Sequence, residues 1–345
     1  MGFVSVRHTI VFDDTRPMDV ICMGRVAVDL YSEQIGCSLE ESQTFRKYLG
    51  GCAGNIAVGT SRLGLRSAMF SCVGKDAMGQ FLKKTLQHEN VNISLLKETQ
   101  KHLTGLVILG INPPDRFPLI FYRKQCADMQ LKKQHVSADF FATAKSLLVT
   151  GTGFSTRSMS ATSHHAVDVA RSVNTRVIFD LDFRPVLWGL TMEGDGESRY
   201  KTSARVSEHY QSVLPKCDLI VGTEEEVLIA GGATHLEVAL SSIRSVTQAP
   251  IILKRGEKGC AIYLSDSMQP VTSRAFPVKI LNVLGAGDGF MSGFLRGLLR
   301  GESWETCATY GNACGAILVT RHGCAPAMPT NEEMQELIHD TIHCT

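Results

Sequence analysis

The sequence predicts an α/β protein built on a mostly parallel sheet with helices on both faces. Short β-branched runs alternate with helical patterns from residue 137 onward. No Pro-, Gly- or Ser-rich linker divides the 345 residues, and two β-rich stretches stand apart from the main rhythm.

The first strand is the apolar run Val20 to Met23, which stops at Gly24. A helix over Ile56 to Leu63 ends at Gly64, followed by a strand over Ala68 to Val73 and a helix from Met78 to Gln87. Leu106 to Ile111 and Leu119 to Tyr122 read as a hairpin bent by Pro113, Pro114 and Asp115. The regular part opens with a helix over Ala138 to Ala144 and a strand over Ser146 to Thr150. A helix from Ser158 to Ser172 precedes the strand Val177 to Leu181, and Leu219 to Val221 and Ile251 to Leu253 are further strands. Ala261 to Leu264 and Val271 to Val278 read as antiparallel additions at one edge. Helices over Gly287 to Arg300, Trp304 to Leu318 and Asn331 to Ile342 close the chain. Residues 28–50 and 103–126 are too isolated to be core strands and form a small lid. The chain reads as one domain over 1–345, with 1–17 as a flexible leading segment. In open α/β sheets ligands bind beyond the carboxyl ends of the strands, where loops 24–30, 151–155 and 182–186 gather.

Composition narrows the function. A net charge of +1 excludes binding to nucleic acid or a membrane surface through bulk charge, so an anionic ligand must be held by local geometry. The eleven cysteines are scattered through apolar runs with no CxxC pair and no Cys/His cluster, which points to buried reduced thiols. Arg7, Asp13, Asp14 and Arg16 interrupt the first twenty residues, so these do not form a secretory signal. No apolar run approaches the roughly 18 residues that span a bilayer. A cytoplasmic protein is expected.

The segment that carries chemistry is Gly285-Ala286-Gly287-Asp288, which opens a helical pattern. Small residues there let backbone N–H groups approach a phosphate, and the helix dipole adds to the attraction. Asp288 would repel a phosphate. It makes sense if it faces an attacking hydroxyl while the amides face the phosphoryl group under attack. Alone, the motif fits equally a first-turn acid favoured by the dipole. No Walker-type GxxxxGK[ST], HRD or DFG segment is present, and no GxGxxG follows the first strand.

A second glycine-rich segment, Gly50-Gly51-Cys52-Ala53-Gly54-Asn55-Ile56-Ala57, is continued by Arg62-Leu63-Gly64 and by Val73-Gly74-Lys75-Asp76-Ala77-Met78-Gly79. With these two segments in order, the chain resembles the ribokinase-like (PfkB) carbohydrate kinases over nearly its whole length. The resemblance implies a doubly wound sheet with a small β lid, ATP and Mg2+ as cofactors, and phosphorylation of a sugar alcohol. It makes Asp288 the catalytic base and the amides of Gly285, Ala286 and Gly287 the anion hole. It assigns Asp29, Gly51 and Asn55 to the sugar hydroxyls. Lys254, Gly256 and Gly259 fall on the nucleotide side, Asn312 on the adenine pocket, and Glu225 on the metal through water. Lid sheets can pair edge to edge, and a homodimer through the lid strands is open here.

The chain departs from the family pattern at Asn282 and Leu284, before the glycine turn, and at Gly222, three residues before Glu225. These positions bear on a monovalent-cation site, which stays open, and on part of the phosphate shell. The segments 24–31, 117–123, 222–226 and 282–285 resemble the branch that phosphorylates the 6-hydroxyl of 5-dehydro-2-deoxygluconate in inositol catabolism. A sugar acid calls for an arginine fork, and Arg25, Arg123 and Arg184 are the candidates. The alternatives are a kinase of 2-dehydro-3-deoxygluconate or fructose, or a ligand-binding regulator on the same scaffold.

Overall fold

The computed structural model describes residues 10–113 and 116–343. In chain order the strands are β1 (Met18–Met23), β2 (Ala27–Ser32), β3 (Phe45–Gly50), β4 (Ser67–Phe70), β5 (Cys72–Gly74), β6 (Lys97–Thr99) and β7 (Leu106–Leu109). They continue with β8 (Leu119–Tyr122), β9 (Ala144–Thr150), β10 (Arg176–Asp180), β11 (Leu219–Thr223), β12 (Ile251–Lys254), β13 (Cys260–Tyr263) and β14 (Val271–Ser273). The helices are α1 (Cys52–Arg62), α2 (Ala77–His88), α3 (Ala138–Ala142), α4 (Arg157–Ser172), α5 (Ala204–Val213), α6 (Glu224–Gly231), α7 (Leu236–Val246), α8 (Ala286–Leu298), α9 (Trp304–Val319) and α10 (Asn331–His343).

Eight strands form the main sheet in the order β14-β13-β12-β11-β10-β9-β1-β4. Pairing is parallel from β4 to β12 and antiparallel for β13 and β14, which occupy one edge as the sequence predicts. Strand residues alternate between two cores. Ile21, Met23, Val177 and Phe179 face a layer shared with residues of α3, α4, α5, α6 and α7. Val20, Cys22, Ile178 and Ile252 face the opposite layer, shared with α1, α2, α8 and α9. Burial on both faces explains why these strands read as unbroken apolar runs in the sequence.

A separate sheet, in the order β3-β2-β7-β8, is built from the two stretches expected to form the lid. Its apolar face gathers Tyr31, Val107, Leu109, Phe117 and Leu119, and Leu284 packs among them. The lid therefore rests on the residue that leads into the Gly285 turn.

Four expectations need correction. The strand Ala68 to Val73 is broken at Ser71, whose buried hydroxyl donates to the Gly24 carbonyl (2.7 Å) and sends β5 into a two-stranded sheet with β6. The run Val271 to Val278 leaves the sheet after Ser273, because the Asn312 amide takes up the carbonyls of Ser273 and Arg274 (3.3 and 3.0 Å). Residues 10–17 are not loose: Arg16 donates to the carbonyls of Ala144 and Val173 (2.7 and 2.8 Å). Residues 1–9, and Pro114 and Asp115 of the expected hairpin bend, lie outside the described residues. The fourth correction concerns Gly287 to Arg300, where the helix begins one residue earlier, at Ala286, and ends at Leu298. The ten described cysteines form no disulfide, and no described helix is long and apolar enough to cross a membrane.

The amino-terminal end of the sheet is held by Asp19. Its carboxylate accepts from the Arg66 backbone (2.9 Å) and guanidinium (2.9 and 3.0 Å), and Lys145 Nζ lies 3.3 Å away. Burial opposes ionisation, but the Arg66 hydrogen bonds outweigh it and bring Asp19 down to about 2 from its usual 3.8. A depressed folded-state value stabilises the protein above the unfolded value, and that gain is lost as pH falls through about 2. Asp19→Asn is expected to cost about 2 kcal/mol at neutral pH. Chemical denaturation should show the deficit shrinking between pH 4 and pH 2; a deficit independent of pH would contradict the ion-pair account.

Candidate active site

Helix α8 starts from Gly285, which adopts φ +85°, and a Cβ there would overlap the Cys324 sulfur. Only glycine serves both demands. The turn is prepared by Asn282, fully buried, whose Oδ1 accepts from Leu284 N (3.0 Å) while its amide donates to Gly323 O (3.3 Å). The departure at Asn282 thus supplies a side-chain-closed turn, and Leu284 ties it to the lid.

This turn borders two cavities. One, of about 600 Å³, is lined by Ala286, Gly287, Lys254, Gly256, Gly259 and Asn312, with apolar walls from Phe276, Pro277 and Val278. The other, of about 70 Å³, lies beneath the lid and is lined by Gly285, Asp288, Asp29, Gly51, Asn55, Arg25 and Arg184. Consecutive residues of one helical turn therefore face different chambers.

Asn55 Nδ2 donates to Asp288 Oδ2 (2.8 Å), and Asn55 Oδ1 is buried with no partner in the protein. Burial, and then the charge of Asp182, push the Asp288 carboxyl above the usual carboxylate range, against the hydrogen bonds from Asn55 and Cys52. Burial likewise pushes Asp29 up to about 7, against the pull of Arg25 and Arg123. Both acids hold protons more tightly than a surface carboxylate.

Between the chambers, the carboxyl ends of β10, β11 and β12 collect charge. Lys254 Nζ lies 3.4 Å from Asp180 and 4.0 Å from Glu226. Despite burial, these acids hold the ammonium firmly protonated. A Cβ on Gly287 would come within 3.3 Å of the same nitrogen, so bare backbone and cation sit together. Asp180 is pushed upward by burial, and its Oδ2 is buried without a hydrogen-bond partner.

The arginines behave differently from one another. Arg25 donates to both oxygens of Asp182 (3.0 and 2.8 Å) and to Thr152 (3.1 Å). Arg184 lies 3.5 Å from both Asp182 and Glu226 and donates to Phe183 O (2.7 Å). Arg123 does not line the pocket; it is drawn inward to an ion pair with the buried Asp128, which corrects its place among the acceptor-binding residues. Glu225 is also misplaced by the sequence reading. It is exposed on α6, whereas its neighbour Glu226 is buried and turns to the charge cluster, accepting from Thr223 N (2.8 Å) and Phe183 N (3.1 Å). Three acids in a row all suit a helix's first turn, so only the helix phase distinguishes them. Arg199 was missed altogether: it lines the smaller pocket from the irregular stretch before α5.

Residues 18–331 match the family described as pfkB family carbohydrate kinase. The chain belongs to the pfkB family of carbohydrate kinases. Among pfkB relatives, the 5-dehydro-2-deoxygluconokinase of Clostridium tetani is 33% identical over 96% of this chain and 96% of its own length. That of Bacillus subtilis is 30% identical over 95% of this chain and 98% of its own. The fold agrees with an E. coli protein described as a ribokinase II, solved in complex with ATP and Mg2+. The TM-score is 0.83 at 22% identity, over 94% of this chain and 99% of the other.

Burial distinguishes the neighbouring acids of α6 by experiment. Glu226→Gln is expected to lower kcat/KM for the kinase reaction at least tenfold, while Glu225→Gln stays within twofold of the parent. Equal effects, or the reverse order, in steady-state assays would contradict the assignment of Glu226 to the site.

Proposed function

We propose that this carbohydrate kinase transfers the terminal phosphoryl group of ATP to the 6-hydroxyl of 5-dehydro-2-deoxygluconate, a sugar acid of inositol catabolism. The observation that carries the reading is the turn shared by two chambers, Gly285 and Asp288 facing one and Ala286 and Gly287 the other. The relatives named 5-dehydro-2-deoxygluconokinase support the choice of acceptor.

ATP occupies the larger chamber, its base toward Asn312 and the apolar 276–278 segment and its phosphates toward Lys254 and the α8 amides. The acceptor occupies the smaller one, its hydroxyls meeting Asp29, Asn55 and the Gly51 backbone. The acceptor oxygen attacks the terminal phosphorus; a new O–P bond forms as the bond to the ADP oxygen breaks. Asp288 takes the hydroxyl proton, for which its raised proton affinity suits it. Amides of Ala286 and Gly287, with the helix dipole and Lys254, stabilise the charge on the transferred oxygens.

The residues also fit Mg2+. Among the described residues no group of three or more His, Cys, Asp and Glu is arranged to hold a metal directly, which leaves contact through water. Asp180, with its unpartnered buried oxygen, and Glu226 would hold the ion, which when bound neutralises phosphate charge. The smaller chamber lies beneath the lid sheet, so motion of the lid would open it to the acceptor. A cytoplasmic setting, and pairing of copies through the lid strands, belong to the same reading.

Asp288→Asn is expected to keep ATP affinity while kcat falls by about three orders of magnitude or more. In the parent, kcat falls as pH drops through the raised Asp288 value and protonates the base. Asn55→Ala removes a hydrogen bond that favours the ionised form, so this acid limb should move to higher pH. Turnover by Asp288→Asn close to the parent's would overturn the assignment.

A further inference from the structure

We propose that Arg199 is the side chain that recognises the acceptor's carboxylate, and so sets the preference for a sugar acid over a neutral sugar. The inference rests on the reading of the smaller chamber as the acceptor site.

Arg199 lines that chamber together with Asp29, Asn55 and Asp288. The other arginines near it are each ion-paired within the protein. Arg25 is paired with Asp182 at 2.8 Å; Arg123 is paired with Asp128 through one nitrogen and lies outside the pocket lining, its Nε and Nη1 buried without partners. Arg184 is shared between Asp182 and Glu226, each 3.5 Å away. Arg199, by contrast, forms no ion pair among the described residues. Its strongest electrostatic neighbour is another cation: repulsion from Arg184 lowers its proton affinity, against the weaker pull of Glu226 and Asp182, while the residue stays exposed to solvent. Two guanidinium groups facing one chamber, one of them without a counterion, make a place where a ligand carboxylate relieves repulsion and gains a planar two-pronged donor. An acceptor hydroxyl has no comparable gain, so the arrangement discriminates by charge.

The stretch that carries Arg199 is held in place. Asp195 accepts from Ser198 N (3.1 Å) and Ser198 Oγ (2.7 Å), which closes the turn just before Arg199. Gly196 N donates to Leu119 O (3.1 Å) on β8, the outer strand of the lid sheet. The approach is so close that a Cβ on residue 196 would overlap that carbonyl oxygen. The lid edge and the Arg199 turn are therefore one mechanical unit, and a lid closing on the acceptor carries Arg199 toward it.

The test compares kcat and KM for 5-dehydro-2-deoxygluconate and for its methyl ester, which keeps the hydroxyls and loses the charge. Arg199→Ala is expected to reduce the acid-to-ester ratio of kcat/KM roughly 10- to 100-fold, the size of one lost charge-assisted hydrogen bond. The loss should lie in KM for the acid. Arg199→Lys, which keeps the charge but not the fork, should recover part of it. Gly196→Val, which pushes the turn off β8, should raise the same KM. If the parent enzyme phosphorylates the acid and Arg199→Ala leaves the ratio unchanged, this proposal fails and the acceptor assignment stands. If the parent turns over only uncharged acceptors, both fail. A loss confined to kcat, equal for acid and ester, would make Arg199 a structural residue and also overturn the proposal.

Discussion

A carboxylate and a row of backbone amides share the first turn of α8, and most of the surrounding structure follows from keeping them together. The amides and the helix dipole attract anions, while Asp288 repels them. The conflict is resolved by direction. Gly285 at φ +85° lets the turn present Ala286 and Gly287 to one chamber and Asp288 to the other, with Cys324 packed where any side chain would stand. Asn282 closes the turn from below and Leu284 fastens it to the lid, so both chambers are referred to one rigid point.

Concentrating acids at the end of a buried sheet has a cost that the same region offsets with paired cations. Asp182 is held below the usual range although burial opposes it, because Arg25 and Arg184 are beside it. Among the described residues Asp180 pairs with one cation, Lys254 at 3.4 Å, and accepts from Asp182 N (3.3 Å); its other oxygen is unsatisfied, and its carboxyl is pushed upward by burial. Such incompletely satisfied buried groups are where a bound ligand gains most, since it meets desolvated partners already in place. The charge pattern therefore separates groups that organise the site from groups left open to ligands. Arg25 and Asp182 belong to the first kind, and Asp29, Asp180 and Arg199 to the second.

The sequence carried much of this, unevenly. Strands such as Val20 to Met23 and Ile251 to Leu253 were legible because burial on both faces writes itself as an apolar run. The Gly285 turn was legible because its residue types have few other uses together. Glu226 was not, since Glu224, Glu225 and Glu226 suit a first helical turn equally and the tertiary phase decides which one is buried. Arg123 pointed to the pocket by its place after Phe121 and Tyr122, but an acid five residues on claims it. Arg199 lies in an irregular stretch whose position depends on a contact between Gly196 and a strand far away in sequence, which no local pattern records. The premature end of the Val271 strand is likewise a tertiary effect, set by Asn312 on a helix that comes 39 residues later.

The most direct measurement is a crystal structure of the ternary complex with a non-hydrolysable ATP analogue and the sugar acid. The account predicts the terminal phosphate against the Ala286 and Gly287 amides and the acceptor's 6-oxygen within about 3 Å of the Asp288 carboxylate. A complex in which both ligands are bound, yet the terminal phosphate lies away from that turn or the acceptor oxygen faces a different group, would contradict it.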